Sequence, residues 1–142
     1  MTKEDLEHIQ VVNWMHANAG SSLLWFHVPS EGKKSAFERY KHSIMGNKKG
    51  VPDFLILYPK LKLSLNNKPT IEYLGLVIEL KVAEYNRLVT KGKKAGKTVK
   101  TIGKLSDEQG KVLEQFKKAG YKAVCCFGAQ AAIKEIEEYF KK

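Results

Sequence analysis

The chain has 142 residues, 43% of them hydrophobic and 28% charged, a balance that suits one globular domain with a single core and excludes a disordered polyelectrolyte. Its formal net charge of +10 is matched to a polyanionic partner such as nucleic acid. No apolar run approaches the roughly 20 residues of a spanning helix, and the opening MTKEDLEHIQ is too acidic and polar for a signal or transit peptide, so the expectation is a cytoplasmic protein with no membrane partner.

Thr2 followed by Asp5 reads as a capping box, and Leu6, Ile9, Val12 and Met15 recur behind it until Gly20, predicting a helix over about 3–18. Leu23 to Val28, closed by Pro29, reads as a buried strand, followed by a polar stretch containing Lys33 and a weakly helical segment over about 35–45. The turn Gly46-Asn47-Lys48-Lys49-Gly50 carries positive charge and leads through Val51-Pro52-Asp53 into a second strand, Phe54 to Tyr58. Residues 59–72 alternate and contain Asn66-Asn67, which suits a hairpin extension before a third strand, Tyr73 to Lys81, apolar enough in its middle to lie near the sheet centre.

Residues 84–104 have no apolar period and many lysines, so they read as a flexible or hairpin excursion outside the core. Ser106 opens a Ser-x-x-Gln box; Val112, Leu113 and Phe116 give its helix an apolar face, and Gly120 is placed to end it. Tyr121 to Phe127 reads as a fourth strand and Ala131 to Phe140 as a last amphipathic helix, with Ala132, Ile133, Ile136 and Tyr139 inward. The expected fold is α/β: a four-stranded mixed sheet flanked by helices, in one domain over 1–142. Trp14 and Trp25 read as core residues, and the adjacent Cys125 and Cys126 as buried thiols, since neighbours in a strand point to opposite faces.

The chemistry concentrates at two strand ends. Asp53 opens one strand and Glu79-Leu80-Lys81 closes the next; the strand period of two puts Glu79 and Lys81 on one face. If the strands are neighbours, two carboxylates and an ammonium converge, which is a donor set for a hard divalent cation and a phosphodiester. Against this stands a surface ion pair at a strand end, the usual meaning of an isolated Glu-x-Lys. No Gly-x-Ser-x-Gly elbow, Walker loop or paired-cysteine zinc spacing competes, and His8 and His16, two helical turns apart, do not suit a shared metal. Of the basic residues only Arg39 and Arg87 are arginines, and a lysine-rich surface favours phosphate over base edges.

Pro52-Asp53, then 25 residues, then Glu79-Leu80-Lys81 resembles the PD-(D/E)xK nuclease pattern. The wider matches at Gly50-Val51-Pro52-Asp53, Gly75 to Lys81, Leu105-Ser106-Asp107-Glu108-Gln109 and Gly120-Tyr121 resemble the virus-type replication-repair nuclease (VRR-NUC) family over nearly the whole chain. The resemblance implies a restriction-endonuclease-like core and a Mg²⁺- or Mn²⁺-dependent deoxyribonuclease, with homodimers and branched DNA of the Holliday-junction type among the family's properties. It implies Asp53, Glu79 and the Leu80 backbone carbonyl as metal ligands, Lys81 as the catalytic lysine, and a first-helix acid, Glu7 beside Gln10, with Glu4 as the alternative alignment. Gln109 either supports the site or caps its helix through Ser106, and the two roles are compatible. His27 touches DNA near the metal or is a packed strand-end histidine. The chain departs from the family's pattern at Ser30, where an asparagine is usual, and in its long lysine-rich excursion. DNA contacts are expected from His27, Lys33, Lys48 and Lys49, and from Lys91, Lys93, Lys94, Lys97, Lys100 and Lys104. The alternative function is a catalytically inactive, structure-selective DNA-binding module on the same fold, but paired carboxylates in a basic cleft would repel phosphate and serve such a module poorly.

Overall fold

A computed structural model describes residues 1–29 and 34–141. In chain order its elements are α1 (Lys3–Asn18), β1 (Trp25–His27), α2 (Ala36–Ile44), β2 (Phe54–Ile56), β3 (Lys60–Leu63), β4 (Pro69–Tyr73), β5 (Leu76–Lys81), β6 (Tyr85–Leu88), β7 (Thr98–Thr101), α3 (Asp107–Lys118), β8 (Lys122–Phe127) and α4 (Ala129–Phe140). Four strands form one mixed sheet in the order β1-β2-β5-β8, antiparallel except for the parallel pair β5 and β8. That parallel pair requires a crossover, which α3 supplies.

Every residue of β5 is buried, as its apolar run requires of a central strand. Its even positions, Leu76, Ile78 and Leu80, join Phe54 and Ile56 of β2 in a core with Val11 and Met15 of α1 and Ala132, Ile136 and Tyr139 of α4. On the opposite face Val77 packs with Leu113 of α3 and Ala123 of β8, with Leu55, Phe116 and Tyr121 around them. The strand period therefore assigns Glu79 and Lys81 to the α3 face. The capping boxes of Thr2 with Asp5 and Ser106 with Gln109 are formed as expected, a further one of Ser35 with Glu38 opens α2, and Gly120 (φ 98°) follows the end of α3 as expected.

The inward face of α1 and the extent of the first strand differ from expectation. Leu6 and Ile9 do not face the core: both are exposed, and the inward stripe of α1 runs through Val11 and Met15. Leu6 and Met15 are nine residues apart, about two and a half turns at 3.6 residues per turn, which puts them on opposite sides. The strand expected over Leu23 to Val28 is shorter and not buried; β1 is the sheet's edge, with Leu24, Phe26 and His27 exposed. It pairs on one side only, so half of its surface has no neighbour to cover it.

The stretch between β2 and β5 is the hairpin β3–β4, turning at Asn67 (φ 56°), and the third strand starts later than expected because Tyr73 belongs to β4. The excursion over 84–104 is the hairpin β6–β7, paired from Tyr85↔Thr101 to Leu88↔Thr98 in a two-stranded sheet of its own. Cys126 is buried and its thiol is pushed up to about 12 by that burial; Cys125 is half-buried. Among the described residues no helix is long and apolar enough to cross a membrane.

Candidate active site

Three elements meet at the C-terminal end of β5. The antiparallel register Phe54↔Ile78 brings Asp53, just before β2, alongside the end of β5. There its Oδ2 accepts the Leu80 amide at 2.7 Å. In a strand the N–H and C=O of one residue point the same way, so the Leu80 carbonyl faces the gap that Asp53 enters. The approach of α3 is set by Gly50. Its φ is 78°, and a Cβ there would lie 2.7 Å from the Glu108 carbonyl carbon and 2.9 Å from the Gln109 nitrogen, so the loop before Asp53 sits directly on the first turn of α3.

Gln109 uses that position twice. Its Oε1 accepts the Ser106 amide at 2.9 Å, completing the capping box, while its Nε2 donates to Glu79 Oε1 at 2.7 Å. The same Glu79 oxygen lies 3.2 Å from Lys81 Nζ. Glu79 is 3% exposed and Lys81 9%. Burying two ions costs several kcal/mol each before pairing, so this pair is a weak source of stability at the end of an otherwise apolar strand. Burial first, and the charge of Asp53 second, push the Glu79 carboxyl up to about 7, against the opposing pull of Lys81.

The second oxygen of that carboxylate, Glu79 Oε2, is buried without a hydrogen-bond partner. An orphaned buried carboxylate oxygen is costly, and it fits a divalent cation as its missing partner. With Asp53 and the Leu80 carbonyl it offers the all-oxygen set that Mg²⁺ or Mn²⁺ accepts.

Asp53, Glu79, Leu80, Lys81 and Gln109 are thus brought together. Glu7 has partners of its own: its Oε2 accepts the Ala129 amide at 2.7 Å and its Oε1 lies 3.9 Å from Lys3 Nζ. It caps α4, whose N-cap, Gly128, has no side chain to do so. Glu4 is close enough for its charge to contribute to the raised pKa of Glu79. Lys48 donates to Gln115 Oε1 of α3 at 2.8 Å, and Lys49 is exposed beside it. Lys33 lies outside the described residues. Lys91, Lys93, Lys94, Lys97 and Lys100 are exposed on the β6–β7 hairpin, and Lys104 is exposed just after it. Gly103 returns the chain against β5: its amide donates to the Val82 carbonyl at 3.1 Å, and a Cβ there would meet Lys81 Cβ at 2.9 Å.

His27 is exposed at the end of β1, its Nδ1 2.8 Å from the Asp53 carbonyl oxygen. Sequence reasoning missed its neighbour. His8 of α1 meets the His27 ring edge-on at 4.1 Å and stacks on Phe54 at 4.4 Å, and burial pushes its pKa down. The signal was present as helical spacing, since His8 is three residues before Val11 and seven before Met15, on the inward stripe.

The VRR-NUC domain family model matches residues 2–130. The chain belongs to the VRR-NUC family. It therefore carries a nuclease domain, and DNA is the substrate that such a domain implies. A solved structure described as a VRR_NUC domain protein superposes with a TM-score of 0.68 over 99% of this chain and 89% of that one, at 24% identity, a likeness of fold. No curated protein matches the chain.

Proposed function

We propose that this VRR-NUC domain is a Mg²⁺- or Mn²⁺-dependent deoxyribonuclease acting as an endonuclease on branched or otherwise structured DNA in the cytoplasm. The observation that carries the reading is Glu79 Oε2, a buried carboxylate oxygen without a partner, beside Asp53, Lys81 and Gln109. Asp53, Glu79 and the Leu80 carbonyl would hold the cation, with an acid of α1, Glu7 or Glu4, as a further contributor. A cation there supplies Lewis acidity toward phosphate and lowers the pKa of a water.

The chain's own residues do the rest. Asp53 is fixed by the Leu80 amide, so its carboxylate needs no reorganisation. Gln109 and Lys81 hold Glu79 Oε1 and leave Oε2 free to ligate. The ammonium of Lys81 has three donors and spends one on Glu79. The others can orient the attacking water and stabilise the negative charge that builds on the phosphate oxygens. Exposed lysines of the β6–β7 hairpin and of the loop at 48–49 supply phosphate contacts on either side.

The homodimer belongs to the same proposal. Phe37, Tyr40 and Ile44 recur at helical spacing on α2 and are 72%, 63% and 67% exposed. A second copy covering that stripe would present two sites related by a two-fold axis, as a four-way junction requires. The test is cleavage of duplex, single-stranded, flap and four-way junction DNA with Mg²⁺ or Mn²⁺, alongside sedimentation with and without junction. Preferential junction cleavage by a dimer supports the proposal. A monomer that ignores DNA shape removes the dimer and junction parts, and no cleavage of any substrate removes the enzyme.

A further inference from the structure

We infer that His8, His27 and Asp53 form a second cation site, one for a divalent transition ion of the Zn²⁺ class, on the opposite side of Asp53 from Glu79. One ring nitrogen from each histidine and a carboxylate oxygen of Asp53 lie within 4.8 Å of one another. Around a tetrahedral ion with bonds of about 2.05 Å the donors stand about 3.4 Å apart, so closing the site takes side-chain shifts of about an ångström.

The placement follows from the sheet. Trp25 of β1 and Phe54 of β2 belong to the α1–α4 side of the core, and His27 has the parity of Trp25. The two imidazoles thus gather on the α1 side, whereas Glu79, Lys81 and Gln109 gather on the α3 side. Asp53 stands at the strand mouth between them.

Three details suit ligation rather than mere packing. The Asp53 carbonyl can only accept, so the His27 nitrogen 2.8 Å away carries the proton, and the other ring nitrogen is left with a lone pair. Metal-ligating histidines are commonly oriented in this way by a backbone carbonyl. His8 is held by its stack on Phe54, with its ring 4.1 Å from that of His27, close enough for the two to share a cation. Finally, one Asp53 carboxylate oxygen is fixed by the Leu80 amide, which leaves the other for a ligand.

Two imidazoles and a carboxylate with an open position are a donor set for Zn²⁺, Co²⁺ or Fe²⁺ and not for Mg²⁺. The site does not depend on the chain cutting DNA, and its test contains none. Untagged, metal-free protein is titrated with Zn²⁺ by calorimetry and with Co²⁺ by visible absorption. The wild type is expected to bind one equivalent of Zn²⁺ and to give a Co²⁺ spectrum of low coordination number. His27→Gln and His8→Phe, the latter keeping the stack on Phe54, should each lose roughly tenfold to a hundredfold in affinity. His16→Gln, whose ring lies on Trp25 and not in the cluster, should bind as the wild type does. Absence of Zn²⁺ binding, or equal affinity in wild type, His8→Phe and His27→Gln, overturns the inference. Zn²⁺ binding by a chain that never cleaves with Mg²⁺ would remove the nuclease proposal and leave this site standing.

Discussion

Gln109 donates to Glu79 Oε1 at 2.7 Å with one end of its amide and accepts the Ser106 amide at 2.9 Å with the other, joining the start of α3 to the end of β5. The two bonds can be separated by mutation. Gln109→Glu retains a capping-box acceptor but sets a carboxylate against Glu79, so whatever stability it loses reports the Glu79 contact and not the cap. Its cleavage should fall by roughly tenfold or more. Gln109→Ala should lose in both respects. Urea unfolding and single-turnover cleavage read the pair, and a fully active Gln109→Glu would confine the residue to helix capping.

The Glu79 carboxyl, pushed up to about 7 from an ordinary 4.5, predicts a pH dependence of stability. Between those values the folded protein holds a proton that the unfolded chain releases, so this contribution is present at low pH and lost as pH rises through 7. In chelator, the wild type should therefore lose stability relative to Glu79→Gln between about pH 5 and 8. His8, pushed down by burial, contributes the opposite slope, which the comparison cancels. Added Mg²⁺ should reverse the loss at pH 8 and act weakly at pH 5, because a ligating carboxylate must be ionised. Parallel wild-type and Glu79→Gln melting curves across that range would contradict the assignment.

Glu7 accepts the Ala129 amide, so Glu7→Ala should cost about 1–3 kcal/mol by leaving that donor unpaired. Glu7→Gln keeps an acceptor and should fold normally while raising the Mg²⁺ concentration needed for cleavage, by a smaller factor than Asp53→Asn. Glu4→Gln is the control. A Mg²⁺ requirement that moves with Glu4 and not Glu7 would make Glu4 the first-helix acid.

The six lysines from Lys91 to Lys104 stand on or just beyond a hairpin that leaves from the end of β5 and returns to α3. Replacing all six with serine should flatten the slope of log affinity against log salt by a few units, at about 0.9 per phosphate contact on duplex DNA. Thermal stability should hardly change, since the hairpin pairs with itself. An unchanged slope would leave these lysines a role in solubility alone.

The elements with strong local signals were legible in the sequence: the capping boxes at Thr2 and Ser106, the apolar run of β5 and the inward stripe of α4. Asp53, Glu79 and Lys81 stood out because charge ends an apolar strand, and their convergence needed only that β2 and β5 be neighbours. Steps of three on α1 misled, since Leu6, Ile9, Val12 and Met15 drift around the helix. The edge position of β1 depends on strand order, which composition does not encode. Glu7 as the cap of α4 joins residues 122 positions apart and leaves no mark in local spacing; helical spacing puts His8 on the inward stripe, but its nearness to His27 rests on how α1 crosses β2.

In the proposed function Asp53, Glu79 and Lys81 act together on a phosphodiester with a divalent cation. The most direct measurement is single-turnover cleavage of junction DNA by wild type, Asp53→Asn, Glu79→Gln and Lys81→Ala in Mg²⁺ and in chelator, with DNA affinity measured on the same samples. The expected result is cleavage by the wild type in Mg²⁺ only, its loss in all three variants, and DNA affinity largely retained in each. Near-normal turnover in any variant, or wild-type cleavage that persists in chelator, would contradict it.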